Sequence, residues 1–100
     1  MKVVISAVAQ AELGEIWRWN AVERGPRPAN DYLAFLKKAI GKLSTSYSKG
    51  RPIGSNPSFR YILMQRRPGG HGHVAVYEVI DNSVVVLHVY HTSQDWQAKL

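Results

Sequence analysis

Residues 72–96, GHVAVYEVIDNSVVVLHVYHTSQDW, constrain the fold more than any other stretch of this chain. Two runs rich in Val, Ile and Tyr flank Asp81-Asn82. β-Branched and aromatic side chains suit a pleated surface, and Asn and Asp tolerate the dihedrals of a tight turn, so the stretch predicts an antiparallel hairpin. Its second strand carries His88 and His91 and runs directly into a short polar tail. The residues before it must supply further strands and a cover for the sheet.

Taken in order, the chain supplies both. Residues 2–6, KVVIS, form a short apolar run of high strand propensity, and Ser6 is placed to cap a following helix with its hydroxyl. From Ala7 the spacing turns helical, with Ala9, Leu13, Ile16, Trp17 and Ala21 on one side. Gly25-Pro26-Arg27-Pro28 ends that helix, because Gly suits a C-terminal cap and Pro cannot continue one. A second helix is expected from Pro28 or Ala29, with Tyr32, Leu33, Leu36, Ile40, Leu43 and Tyr47 along one face, widened by Phe35 and Ala39. The short connection makes the two helices an antiparallel pair, and only the sheet offers enough apolar area to cover their stripes. Ser44–Ser58 reads as a loop on its Ser, Gly, Pro and Asn content, and Phe59–Gln65 as a strand. Arg66–Gly72 is a basic, Gly-rich turn into the hairpin, and Gln94–Leu100 leaves room for a helical turn. The expected class is α+β in the order β-α-α-β-β-β, one domain over residues 1–100 with a helical hairpin packed on a small, antiparallel-rich sheet.

Several functional classes drop out on composition. No run of about 18 apolar residues is present, so no membrane span or membrane partner is expected. The start, MKVVISAVAQAEL, reads as strand and helix rather than as a signal peptide, which makes the cytoplasm the expected compartment. With no cysteine, disulfide frameworks and thiolate zinc sites are excluded. His71-x-His73 with His91 is the one conceivable metal set, but it lies in a Gly-rich turn, and neither metal nor cofactor is expected.

Charge is the first positive clue. The formal net charge is +6, and no acidic residue occurs between Asp31 and Glu78. Lys37, Lys38, Lys42, Lys49, Arg51, Arg60, Arg66 and Arg67 all fall in that interval. A field of one sign attracts polyanions or an acidic protein. Trp19 lies about 200° around the first helix from Trp17. Trp17 is thus expected in the core and Trp19 on a partner surface. Trp96 reads as a cap that packs the tail onto the sheet.

These landmarks, in this order, resemble the ParE/RelE superfamily of bacterial toxins from type II toxin–antitoxin systems. The resemblance is carried by Ser6-x-x-Ala9-x-x-Glu12-Leu13 after the opening strand, the helical hairpin, Gly50-Arg51-Pro52, Phe59-Arg60-Tyr61, Val76-Tyr77-Glu78-Val79, and Leu87-His88-Val89-Tyr90-His91-Thr92-Ser93-Gln94-Asp95. The long helices and the Gly-Arg-Pro loop look more like the ParE, plasmid-stabilisation branch. That resemblance implies a toxin that inhibits DNA gyrase by protein–protein contact, without a catalytic centre of its own. It also implies a cognate antitoxin, with an acidic C-terminal segment that folds onto the helical hairpin and the sheet. Trp19, Lys37, Lys38, Arg51, Arg60, Arg66 and Arg67 are the partner-binding candidates.

The alternative is a RelE-like, ribosome-dependent mRNA endonuclease. Cleavage through a 2′-hydroxyl needs proton transfer and a cation for the developing charge. His88 or His91 would serve the first need, and Arg60, Arg66 or Arg67 the second. Positions 88 and 91 point to opposite faces of a regular strand, which argues against their acting as a pair. The sequence also departs from the family pattern, with His88 where Arg is common and Ser93-Gln94 where a basic pair is usual. The neutral pair further motivates a third reading, a chain that binds its antitoxin and is no longer toxic. His91 is otherwise expected to fix the C-terminal turn through Asp95, and His88 to be partly buried.

Overall fold

The computed structural model describes residues 1–54 and 56–100. Strand β1 (Lys2–Ile5) leads through Ser6 into helix α1 (Ala7–Arg24), and Gly25 alone separates α1 from α2 (Pro26–Gly41). A further helical turn, α3 (Leu43–Ser46), precedes β2 (Arg51–Ile53), β3 (Asn56–Met64), β4 (His73–Ile80) and β5 (Ser83–His91). A 3₁₀ turn, Trp96–Lys99, follows. The strands form one sheet in the order β1-β5-β4-β3-β2, with β1 parallel to β5 and the other pairs antiparallel. The α+β class, with a helical pair after the first strand packed on an antiparallel-rich sheet, is as expected, and the sheet has one strand more, β2, than the expected β-α-α-β-β-β order. Among the described residues, no helix is long and apolar enough to cross a membrane.

The expected caps and turn form as their chemistry dictates. Ser6 Oγ accepts the Ala9 N–H at 3.1 Å and donates to the Leu87 carbonyl at 3.1 Å, so one hydroxyl caps α1 and ties it to β5. Asp81 and Asn82 both take positive φ, 49° and 60°, the pairing that a two-residue hairpin turn requires. Helices α1 and α2 cover one face of the sheet. Ala9, Leu13, Leu36, Ile40 and Leu43 are buried there against Met64, Ala75, Tyr77, Val84, Val86 and Val89. On the opposite face a smaller cluster of Ile53, Val74, Val76 and Tyr90 is closed by Trp96 of the 3₁₀ turn, as expected of that residue.

Several local expectations differ from the structure. Helix α2 starts at Pro26, two residues earlier than read, because both prolines fit in a first turn where a missing donor costs nothing. The segment read as a loop, Ser44–Ser58, holds most of α3, all of β2 and the start of β3. Strand β2 exists through pairing with β3 and not through propensity, and it tolerates Pro52 because it is an edge strand. Trp17 is half-buried outside the core, its indole N–H donating to Asn30 Oδ1 at 2.8 Å across the helical hairpin.

One irregularity sets the geometry of the site. Tyr77 pairs with Val86 but Val76 pairs with His88, so Leu87 is an extra residue, a β-bulge, in β5. Were the same residues paired without a bulge, the register that begins at the Ile80–Ser83 pair would bring His73 opposite Tyr90. With it, His73 stands opposite His91.

Candidate functional site

Helices α1 and α2 and the histidine-bearing end of the sheet enclose an open cleft of about 1070 Å³. Glu12, Ile16 and Trp19 of α1 form one wall, with Tyr32 of α2 beside them, while His73 and His91 line the sheet side. The loop between β3 and β4 adds Arg66, Arg67 and His71, and Arg24 and Lys99 stand at the margins.

Helix α1 is fixed to this sheet by an acidic residue. Strand β1 pairs with β5 only as far as Val86, so the amides beyond that point lack a strand neighbour on that edge. Glu12 supplies the missing acceptor: its Oε1 takes the Val89 N–H at 2.9 Å, and Oε2 lies 3.3 Å from His88 Nδ1. This gives physical content to the Ser6-x-x-Ala9-x-x-Glu12-Leu13 motif, whose members cap, pack, bond the edge and pack again. Glu12→Ala is expected to cost about 2 kcal/mol, since it orphans a part-buried amide held by a charged acceptor. Urea denaturation checks this, and an unchanged midpoint would refute the assignment.

His73 is buried, with its Nδ1 at 2.6 Å from the Tyr32 hydroxyl. Burial lowers its pKa from 6.5 to about 4, helped by the neighbouring His91. The Tyr32 hydroxyl is pushed up, chiefly by burial and against the pull of Arg66 and Arg24. The His91 ring lies edge-to-face on His73 at 5.0 Å between centroids, and His71 lies 5.7 Å from His91. Close packing in this corner depends on Gly72, where a Cβ would strike the Met64 carbonyl. The rings thus gather, yet no group of three His, Cys, Asp or Glu among the described residues is arranged to hold a metal ion.

The candidate residues divide clearly. Arg66, Arg67, His91 and Trp19 line the cleft. The Arg66 guanidinium sits over the Tyr32 and Phe35 rings, 5.7 and 5.5 Å from their centroids. Trp19 is 61% exposed, as expected for a contact surface. Arg60 is committed elsewhere: its Nη1 donates to the Gly50 carbonyl at 2.7 Å and to that of Ser48 at 3.4 Å. It pairs with Tyr77 whereas Met64 pairs with His73, so Arg60 lies about 13 Å along the strand from the end at which the Arg66 loop begins. Arg51 lies on edge strand β2 by a smaller recess that includes Tyr61, Leu63 and Trp96, and Lys37 and Lys38 are exposed on α2 outside the cleft.

His88 stacks on Tyr90, 4.9 Å between centroids, on the face away from His91. Five candidate nuclease groups therefore fall in three places. His91 fixes the C-terminal turn through different partners from the one expected. Its Nδ1 accepts from the Ser93 N–H at 3.0 Å, and its own N–H donates to Gln94 Oε1 at 2.9 Å, while no bond to Asp95 forms. Arg24, Tyr32 and Lys99 were not legible as site residues, because their positions depend on how the helices splay from the sheet.

The fold is thus a helical hairpin laid over a mixed sheet whose first strand runs parallel to its last. The solved structure described as "Chromosomal ParDE TA system from P. aeruginosa" shares the fold, with a TM-score of 0.78 at 20% identity over 91% of this chain and 95% of that one. The family described as "ParE toxin of type II toxin-antitoxin system, parDE" matches residues 3–96. The chain belongs to this ParE toxin family. No curated protein matches it.

Proposed function

We propose that this toxin acts in the cytoplasm by inhibiting DNA gyrase through protein–protein contact, and that its antitoxin neutralises it by folding an acidic C-terminal segment into the cleft. The carrying observation is the cleft itself, with Arg24, Arg66, Arg67 and Lys99 around an apolar interior of Ile16 and Trp19. A segment disordered when free can order itself on such a surface, and the opposite charges guide the encounter. The scatter of Arg60, His88 and the remaining candidates supports contact over catalysis. Purified toxin is expected to block gyrase supercoiling, and pre-incubation with the neighbouring-gene antitoxin to restore it. Supercoiling untouched at large molar excess of toxin would sink the gyrase assignment.

One observation favours a second reading. Arg66, Arg67 and His91 share the cleft, so two cations and one proton carrier do meet there. Cleavage of mRNA on ribosomes by the wild-type chain, lost in His91→Ala, would replace the gyrase reading with an endoribonuclease.

A further inference from the structure

We propose that the histidine end of the cleft is a carboxylate-binding pocket, in which His91 donates its Nε2–H to an acidic side chain of the bound segment between Arg66 and Arg67. The proposal rests on the reading that a peptide occupies the cleft and adds where its acid sits.

Ser93 N–H can only donate, and it points at His91 Nδ1 at 3.0 Å, with Ser93 Oγ at 2.6 Å from the same nitrogen. In the neutral ring the proton is therefore on Nε2. That N–H has no protein acceptor among the described residues, and the ring lines the cleft. A metal would need Nε2 bare and Nδ1 protonated, the reverse of what Ser93 enforces. An oxyanion needs a donor, which this tautomer presents. Arg66 adds a guanidinium seated over the Tyr32 and Phe35 rings, and Arg67 and His71 line the cleft from the same loop. His73 beneath is held by the Tyr32 hydroxyl.

The charge gradient selects the class of ligand. Glu12 and Glu15 line the cleft from α1, whereas Arg66 and Arg67 line it from the loop between β3 and β4. Glu12 accepts the Val89 N–H and lies 3.3 Å from His88 Nδ1, and Glu15 pairs with Arg18 at 2.6 Å on the exposed side of the helix. A nucleic-acid strand carries a phosphate at every step and would meet those carboxylates. A peptide carries its acid at one point and apolar side chains at the next, which matches arginines at one end and Ile16 and Trp19 further along.

The test uses the full chain labelled with ¹⁵N-histidine, titrated with N-acetyl tetraglutamate amide, inorganic phosphate and an octathymidylate. The expected result is saturable movement of the His91 ring signals by the peptide, with the Nε2–H pattern kept. His91→Phe is expected to weaken peptide binding about tenfold, the scale of one charge-assisted hydrogen bond, while His91→Gln, which retains a donor, recovers much of it. Lys42→Gln, a charge loss outside the cleft, should leave it unchanged. Equal binding by wild type and His91→Phe, equal response to phosphate alone, or tighter binding of the oligonucleotide would each overturn the proposal. The neighbouring-gene antitoxin separates the two levels. If, on uniformly ¹⁵N-labelled chain, it moves the Trp19 indole and Tyr32 amide signals but not those of the His91 ring, the pocket assignment fails and the docking reading stands. If it moves no cleft signal, the docking reading fails.

Discussion

Gly50→Ala is expected to destabilise the protein by about 3 kcal/mol, combining an overpacked core with a disturbed buried hydrogen bond. Tyr77 is fully buried, and its hydroxyl donates to the Tyr47 carbonyl at 2.7 Å. A Cβ on Gly50 would collide with that hydroxyl and come within 2.7 Å of the ring carbon that bears it. The ring has no solvent-facing escape, so either the loop or the hydrogen bond must yield. Arg60 resists the first option by clamping the Gly50 and Ser48 carbonyls. The Gly50-Arg51-Pro52 landmark thus has a steric reason at its first position. Tyr77→Phe in the Gly50→Ala background removes the colliding oxygen, so the double variant should be more stable than the sum of the single losses. Urea midpoints of the four proteins check this, and strict additivity would show that the two residues do not compete for one space.

His73 is expected to make the fold acid-sensitive. Its pKa is 6.5 in the open chain and about 4 in the folded one, because burial penalises the charged ring. Above pH 6.5 both states hold it neutral and pH has no effect through this group. Between pH 6.5 and 4 the unfolded chain takes up a proton that the folded chain refuses, so stability falls as pH falls. The slope is about 1.4 kcal/mol per pH unit, and the loss reaches about 3 kcal/mol before levelling off. His73→Gln keeps a hydrogen-bonding group for the Tyr32 hydroxyl and cannot titrate, so its acid limb should be flatter by that amount. Carboxylates titrate in both proteins and cancel in the difference. Parallel pH profiles for the two proteins would refute the prediction.

Much of this architecture was legible before any coordinates. The Asp81-Asn82 turn, the Ser6 cap and the α2 stripe follow from side-chain chemistry within a few residues of each other. Strand β2 was not legible, since Arg51–Ile53 has a proline and sits among Ser, Gly and Asn. Its existence depends on a β3 partner that local composition does not report. The site was legible in part. Arg66, Arg67, His91 and Trp19 reach the cleft, while Arg60, which looked like the same kind of free cation, serves the loop below it. Charge counts cannot separate a guanidinium that meets a partner from one that satisfies backbone carbonyls. The partners of His91 were misjudged for a similar reason, because Ser93, Gln94 and Asp95 are all within reach and only the path of the turn chooses among them.

The Leu87 bulge divides β5 into two stretches with opposite parity. Even-numbered residues face the helices where β1 is held, at Val84 and Val86, and odd-numbered residues face them beyond, at Val89 and His91. The first half is thereby free to keep a plain valine ladder for folding, and the second can change its inward side chains without disturbing that ladder. Removing Leu87 would join Val86 directly to His88 and restore plain alternation, so Val89 and His91 would still face the helices and only the local kink would be lost. The bulge lets Val86 and His91, which an unbroken strand would place on opposite faces, share one side of the sheet.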